Sequence, residues 1–126
     1  MSARILVVED NPKNLKLVRD VLQYSGYEVV EATTGEEGVR LAREVHPDLV
    51  LMDLQLPGID GAEALRRIRA EASTHATPVV AVTAFVMADD RSSAFASGFD
   101  GYVEKPISVR GLAQQVQDFL TLGGVP

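Results

Sequence analysis

Three short stretches of the chain are almost wholly apolar: Ile5 to Val8, Leu49 to Met52 and Val79 to Val82. Each lacks the in-out alternation of a half-exposed strand, and such continuous runs are how strands buried on both faces read. Between them apolar positions recur three and four apart. The sets are Leu15, Val18 and Leu22; Gly38, Leu41, Ala42 and Val45; Leu65 and Ile68; and Leu112, Val116, Phe119 and Leu120. That spacing places each set on one face of a helix.

Residues that accept hydrogen bonds from free backbone N–H groups stand where these helices should begin: Asn11 before Pro12, Thr34 with Glu37, Asp60 with Glu63, and Ser108. Gly26 and Gly98 suit left-handed positions after helices, and Pro47 and Pro78 stand where the chain should enter a strand. The pattern predicts strands near 4–8, 28–31, 48–53, 78–82 and 100–103, each followed by a helix. Five such units predict a doubly wound (βα)5 α/β sandwich, flavodoxin-like, with a five-stranded parallel sheet in the order 2-1-3-4-5. The fourth helix, near 87–96, has the weakest apolar stripe and is expected to be the mobile one.

Length and composition narrow the picture. The 126 residues, 46% hydrophobic, suit one domain over 1–122, with 123–126 as a frayed tail. Without cysteine there is no disulfide, thiolate zinc site or thiol nucleophile. The apolar start gives way to Glu9 and Asp10 after four residues, too few for a signal peptide or membrane span, so a soluble cytoplasmic protein is expected. A net charge of −6 argues against a basic groove and hence against direct nucleic-acid binding.

In an open parallel sheet, ligands bind beyond the carboxyl ends of the strands, at the crevice where strand order reverses. Glu9 and Asp10, Asp53, Thr83 and Lys105 stand at or just beyond those ends. A lone acid there is an ordinary solvated loop residue. In the order 2-1-3-4-5, however, Glu9, Asp10 and Asp53 crowd into one cleft, where their repulsion must raise a pKa or attract a cation. An oxygen-only set without His or Cys favours Mg²⁺. Asp10, Asp53 and the backbone carbonyl of Gln55 would be its direct ligands, and Glu9 would act through water. A carboxylate can be the nucleophile of phosphoryl transfer, with an ammonium such as that of Lys105 and a hydroxyl such as that of Thr83 each meeting a phosphoryl oxygen.

Four ordered segments, Val-Val-Glu-Asp-Asn, Leu-Met-Asp-Leu-Gln-Leu-Pro-Gly-Ile-Asp-Gly, Val-Val-Ala-Val-Thr-Ala and Glu-Lys-Pro-Ile-Ser, resemble those of response-regulator receiver domains across nearly the whole chain. The resemblance implies that Asp53 is the phosphorylation site, Glu9 and Asp10 belong to its acidic pocket, Thr83 is the switch hydroxyl and Lys105 contacts the phosphoryl group. It further implies that Tyr102 is a switch aromatic and that Lys105-Pro106 is cis. Pro57, Gly58 and Gly61 would shape the loop after Asp53, while Gln55 and Phe85 would border the pocket. The details of Asp-Asn-Pro-Lys-Asn and Val-Thr-Ala-Phe resemble single-domain cell-fate regulators and receivers of hybrid kinases.

By this resemblance the donor is a histidine kinase or histidine phosphotransfer protein. The output is a protein contact through the face of the fourth helix, fifth strand and final helix, and the state is a monomer or a weak phosphorylation-dependent dimer. A nucleophilic-aspartate phosphatase would need a second acid two residues after Asp53, where Gln55 stands, so a turnover enzyme is not expected. A flavodoxin would need a first loop that cradles phosphate, and Glu9 and Asp10 would repel one.

Overall fold

The computed structural model describes residues 3–84 and 98–123. The elements run β1 (Arg4–Val8), α1 (Pro12–Tyr24), β2 (Glu28–Ala32), α2 (Gly35–Val45), β3 (Leu49–Asp53), α3 (Gly61–Ala70), β4 (Val79–Thr83), β5 (Gly101–Glu104) and α4 (Val109–Gly123). All five strands are parallel, in the order β2-β1-β3-β4-β5. The expected sandwich is therefore present, with strand limits within one residue of those read from the pattern. The predicted helix near 87–96, together with Phe85, lies outside the described residues.

The central strands are covered on both sides. One core cluster contains Leu6, Val8, Val50, Met52, Val79 and Ala81 with residues of α2 and α3; the other contains Ile5, Val7, Leu49, Leu51, Val80 and Val82 with residues of α1 and α4. Successive residues of one strand thus belong to opposite layers, which explains why these runs are apolar throughout.

The helices begin where their capping residues stand. Asn11 Oδ1 accepts from the N–H groups of Lys13 and Asn14, Thr34 Oγ1 from Glu37, Asp60 Oδ1 from Glu63, and Ser108 Oγ from Gly111. Gly26 and Gly98 have φ of 95° and 102°. One difference concerns α2, whose buried residues are Gly35, Gly38, Val39 and Ala42, while Leu41 and Val45 are only half-buried. The helix turns its small residues to the sheet: a β-carbon at Gly38 would stand 2.8 Å from Val8 Cγ2, so the close approach admits nothing larger.

At the far end of the sheet Arg69 fastens α3 to the two strands that carry Thr83 and lead to Lys105. Its guanidinium donates to the carbonyl of Thr77 at 2.5 Å and to Asp100 Oδ2 at 2.8 Å, and the same carboxylate oxygen accepts from the N–H of Val79 at 2.8 Å.

Candidate functional site

Strand register assembles the site. Val8 lies opposite Met52, so Glu9, the next residue, is level with Asp53 at the end of β3. Asp53 in turn lies opposite Val82, and Thr83 opposite Glu104, which brings Lys105 just past the carboxyl end of β5. β1 and β3 are neighbours although β2 separates them in sequence, so Glu9 and Asp53 meet at the reversal of strand order, where such sheets form their crevice.

Glu9, Asp53 and Lys105 are each held by identifiable partners. Glu9 and Asp53 are both buried, with 3% of their surface exposed, whereas Asp10 is exposed. Glu9 Oε2 accepts from the backbone N–H of Asn11 at 3.1 Å, the residue that also caps α1. Asp53 Oδ1 accepts from the N–H of Gln55 at 3.0 Å. The Lys105 ammonium donates to Asp53 Oδ2 at 3.0 Å and stands 3.3 Å from Glu9 Oε1. The backbone N–H of Lys105 reaches the carbonyl of Thr83 at 2.9 Å, extending the β4-β5 ladder by one rung, and the Lys105-Pro106 bond is cis as the resemblance implied.

Glu9, Asp10 and Asp53 each offer a carboxylate oxygen within 4.8 Å of one another. Three carboxylates face one ammonium, so the cleft carries surplus negative charge, and every side-chain donor is a hard oxygen. That donor set fits Mg²⁺, and the exposure of Asp10 leaves a side open to water, which Mg²⁺ sheds reluctantly.

The crowding shows in the titration of the cluster. Glu9 is pushed up to about 7, first by burial and then by its hydrogen bond to the Asp53 carboxyl, against the opposing pull of the Asn11 N–H and Lys105. Burial works to lower Lys105, but the Asp53 and Glu9 carboxylates outweigh it and hold the ammonium above its ordinary value.

In the metal-free fold Glu9 keeps its proton up to about pH 7, whereas the unfolded chain loses it near the ordinary 4.5. Below 4.5 both states are protonated and this contribution is full; it is lost as pH rises through 7. Denaturant titrations in EDTA should show the wild type losing on the order of 2–3 kcal/mol relative to Glu9→Gln across that range. Parallel pH profiles for the two proteins would refute the raised pKa.

Tyr102 lies on β5, half-buried and packed against the cluster that contains Met52 and Ala81. It lines a cavity of about 420 Å³ with Glu104, Pro106, Ser108 and Gln115 and does not belong to the acidic cluster. In the loop after Asp53, Gly58 has φ of 76°, and the N–H of Gly61 reaches the carbonyl of Leu54 at 3.1 Å. A β-carbon at Gly61 would stand 2.5 Å from the carbonyl oxygen of Asp53, so this loop folds directly against the end of β3. Pro57 and Pro106 are exposed. Sequence reasoning missed the Asn11 N–H on Glu9; its signal was the short Glu-Asp-Asn-Pro span, which leaves the capping residue beside the acid.

Residues 5–117 match the response regulator receiver domain family, and the match takes in all four strand ends that form this cleft. The chain belongs to that family. It is 41% identical over 120 residues to the polar-differentiation response regulator DivK of Brucella ovis, covering 95% of this chain and 98% of that protein. Among solved structures it resembles the receiver domain of the sensor histidine kinase PA1611 from Pseudomonas aeruginosa, with magnesium coordinated in the active site cleft. That match has a TM-score of 0.87 and 34% identity, and covers 95% of this chain and 98% of the other. The chemotaxis response regulator CheY4 of Vibrio cholerae superimposes with a TM-score of 0.89 at 26% identity, covering 94% and 99%. This receiver is thus a phosphoacceptor module of two-component signalling, a family of signalling domains. No helix among the described residues is long and apolar enough to cross a membrane.

Proposed function

We propose that residues 1–122 form a receiver unit in which Asp53 accepts the phosphoryl group from a phosphohistidine of a histidine kinase or phosphotransfer protein. The observation that carries this reading is the placement of the Asp53 carboxylate, buried at a strand end and held on one oxygen by the Gln55 N–H and on the other by Lys105. A carboxylate oxygen of Asp53 forms the new O–P bond as the donor P–N bond breaks, and the bonding pair leaves with the imidazole nitrogen.

Asp10, Asp53 and the backbone carbonyl of Gln55 would hold Mg²⁺, with Glu9 acting through water, and the ion would supply positive charge against the phosphoryl oxygens. Lys105 shifts its ammonium from Asp53 to one of those oxygens, and the Thr83 hydroxyl donates to another. The chain catalyses only its own phosphorylation and dephosphorylation.

The output is a change of protein contacts. As Thr83 moves toward the phosphoryl group, Tyr102 turns inward, and the face of β5 and α4, with the expected helix near 87–96 that lies outside the described residues, exchanges its partner, a downstream protein rather than nucleic acid or membrane. A shift from 1:99 to 99:1 needs about 5.5 kcal/mol of differential stabilisation, which a charge-assisted network of phosphoryl, ammonium and metal can supply. The protein works in the cytoplasm as a monomer or a weak phosphorylation-dependent dimer.

The test is incubation with acetyl phosphate and Mg²⁺ followed by intact mass. One phosphoryl group per chain is expected, and EDTA should abolish it. A folded protein that binds Mg²⁺ yet takes no phosphoryl group from either acetyl phosphate or a phosphorylated histidine phosphotransfer domain would refute the acceptor role.

A further inference from the structure

The geometry points to the first turn of α2 as the device that positions the loop after Asp53, with Gly35 and Glu36 as its positioning residues. This rests on the proposed metal site, because the same loop carries the Gln55 carbonyl.

Two consecutive residues of α2 meet two consecutive residues of the loop, large against small in both directions. Ile59 lies over Gly35 so closely that a β-carbon there would stand 2.6 Å from Ile59 Cγ1 and 2.7 Å from its carbonyl oxygen. Conversely, the Glu36 carboxylate lies over Gly58, where a β-carbon would stand 2.8 Å from Oε2 and 2.9 Å from Oε1. Ordinary carbon contacts are at about 3.5–4.0 Å, so Gly35 is a socket shaped for Ile59, while Gly58 leaves room for the end of the exposed Glu36 side chain. Gly58 also needs its left-handed φ of 76°, so an added side chain would be strained as well as crowded.

From the interlock the path to the site is short. Ile59 is followed by Asp60, which caps α3, and by Gly61, which lies against the Asp53 carbonyl and closes the loop with its bond to Leu54. The loop is therefore fastened at its base by Gly61 and at its tip by α2. Gln55, between these points, donates its N–H to Asp53 Oδ1 and so orients that carboxylate. If the tip moves, the two peptide planes that meet at Gln55 turn, one carrying the donor that aims the acceptor carboxylate and the other the carbonyl offered to the metal. The turn that follows the Thr34 cap thereby acts on the cleft without touching it.

The probe is Mg²⁺ alone, titrated by calorimetry, with amide NMR of Gln55 and thermal unfolding in parallel. Groups that orient metal ligands typically contribute 10–100-fold in affinity, so Gly35→Ala should weaken Mg²⁺ binding by about tenfold or more and shift the Gln55 amide even without metal. Ile59→Ala added to it removes the side-chain half of the collision and leaves the carbonyl oxygen at 2.7 Å, so affinity should recover in part, to between that of Gly35→Ala and wild type. Ile59→Ala and Glu36→Ala alone delete atoms at half-buried and exposed positions, and decide the matter should Gly35→Ala fail to fold. Each should weaken Mg²⁺ binding and displace the Gln55 amide. Folded variants that lose thermal stability but keep the wild-type Mg²⁺ affinity and Gln55 amide position would reduce the interlock to plain packing and overturn the inference. A wild type that binds no Mg²⁺ would instead overturn the metal site itself, and the inference with it.

Discussion

Asp53→Asn is expected to leave a folded receiver that takes up no phosphoryl group. The amide has the shape of the carboxylate but lacks its nucleophilic oxygen, so incorporation from acetyl phosphate should fall by at least about 10³-fold, the scale of losing a nucleophile outright. Stability should move little, because the change removes one of three crowded acids while Lys105 retains Glu9 at 3.3 Å. Glu9 should fall back toward its ordinary value, since the hydrogen bond and the charge of Asp53 both help to raise it. Metal-free stability near neutral pH should therefore lie within about 1 kcal/mol of wild type or above it. Intact mass and denaturant titration in EDTA check the two halves separately. A phosphoryl adduct of undiminished yield on the Asp53→Asn protein would move the acceptor role to another residue, with Asp10 the first to examine.

Lys105→Ala should separate two quantities that a merely structural lysine would move together. The ammonium lies 3.0 Å from Asp53 and 3.3 Å from Glu9, so it competes with any cation for the same carboxylates. Its removal should tighten Mg²⁺ binding by roughly fivefold, a partly screened Coulomb effect of about 1 kcal/mol. Phosphorylation should nonetheless slow by about 10²-fold, because a charge aimed at the developing phosphoryl oxygens is gone. Residual phosphorylated protein should also fail to change the ring environment of Tyr102, since the charge contact that holds the active arrangement is missing. Calorimetry, the rate of adduct formation and tyrosine NMR read the three effects. Mg²⁺ affinity and rate falling together would assign Lys105 to folding of the cleft, and an unchanged rate would remove it from the phosphoryl group.

Much of this molecule was legible because its signals are short-range. The runs at Ile5, Leu49 and Val79 need only immediate neighbours to read as buried strands, and Asn11, Thr34, Asp60 and Ser108 cap within three residues of themselves. Glu9, Asp10, Asp53, Thr83 and Lys105, at the ends of four strands, named the cleft once the strand order was supplied. The face of α2 was less legible. Periodicity named Gly38 and Ala42 correctly, yet the helix buries Gly35 and Val39 ahead of Leu41 and Val45, because close approach to Ile59 and Val8 turns the glycine side of the helix inward.

Periodicity and side-chain identity within a few residues thus set the described elements, their caps, the alternating layers and the chemical kind of the site. Folding alone brought Lys105 onto Asp53 across 52 positions, one Arg69 guanidinium onto both Thr77 and Asp100, and the first turn of α2 onto the loop after Asp53. Those contacts follow from strand register and from how closely a helix settles on the sheet. Both are set by the sum of many small packing terms over the whole domain, so no local pattern in the chain contains them.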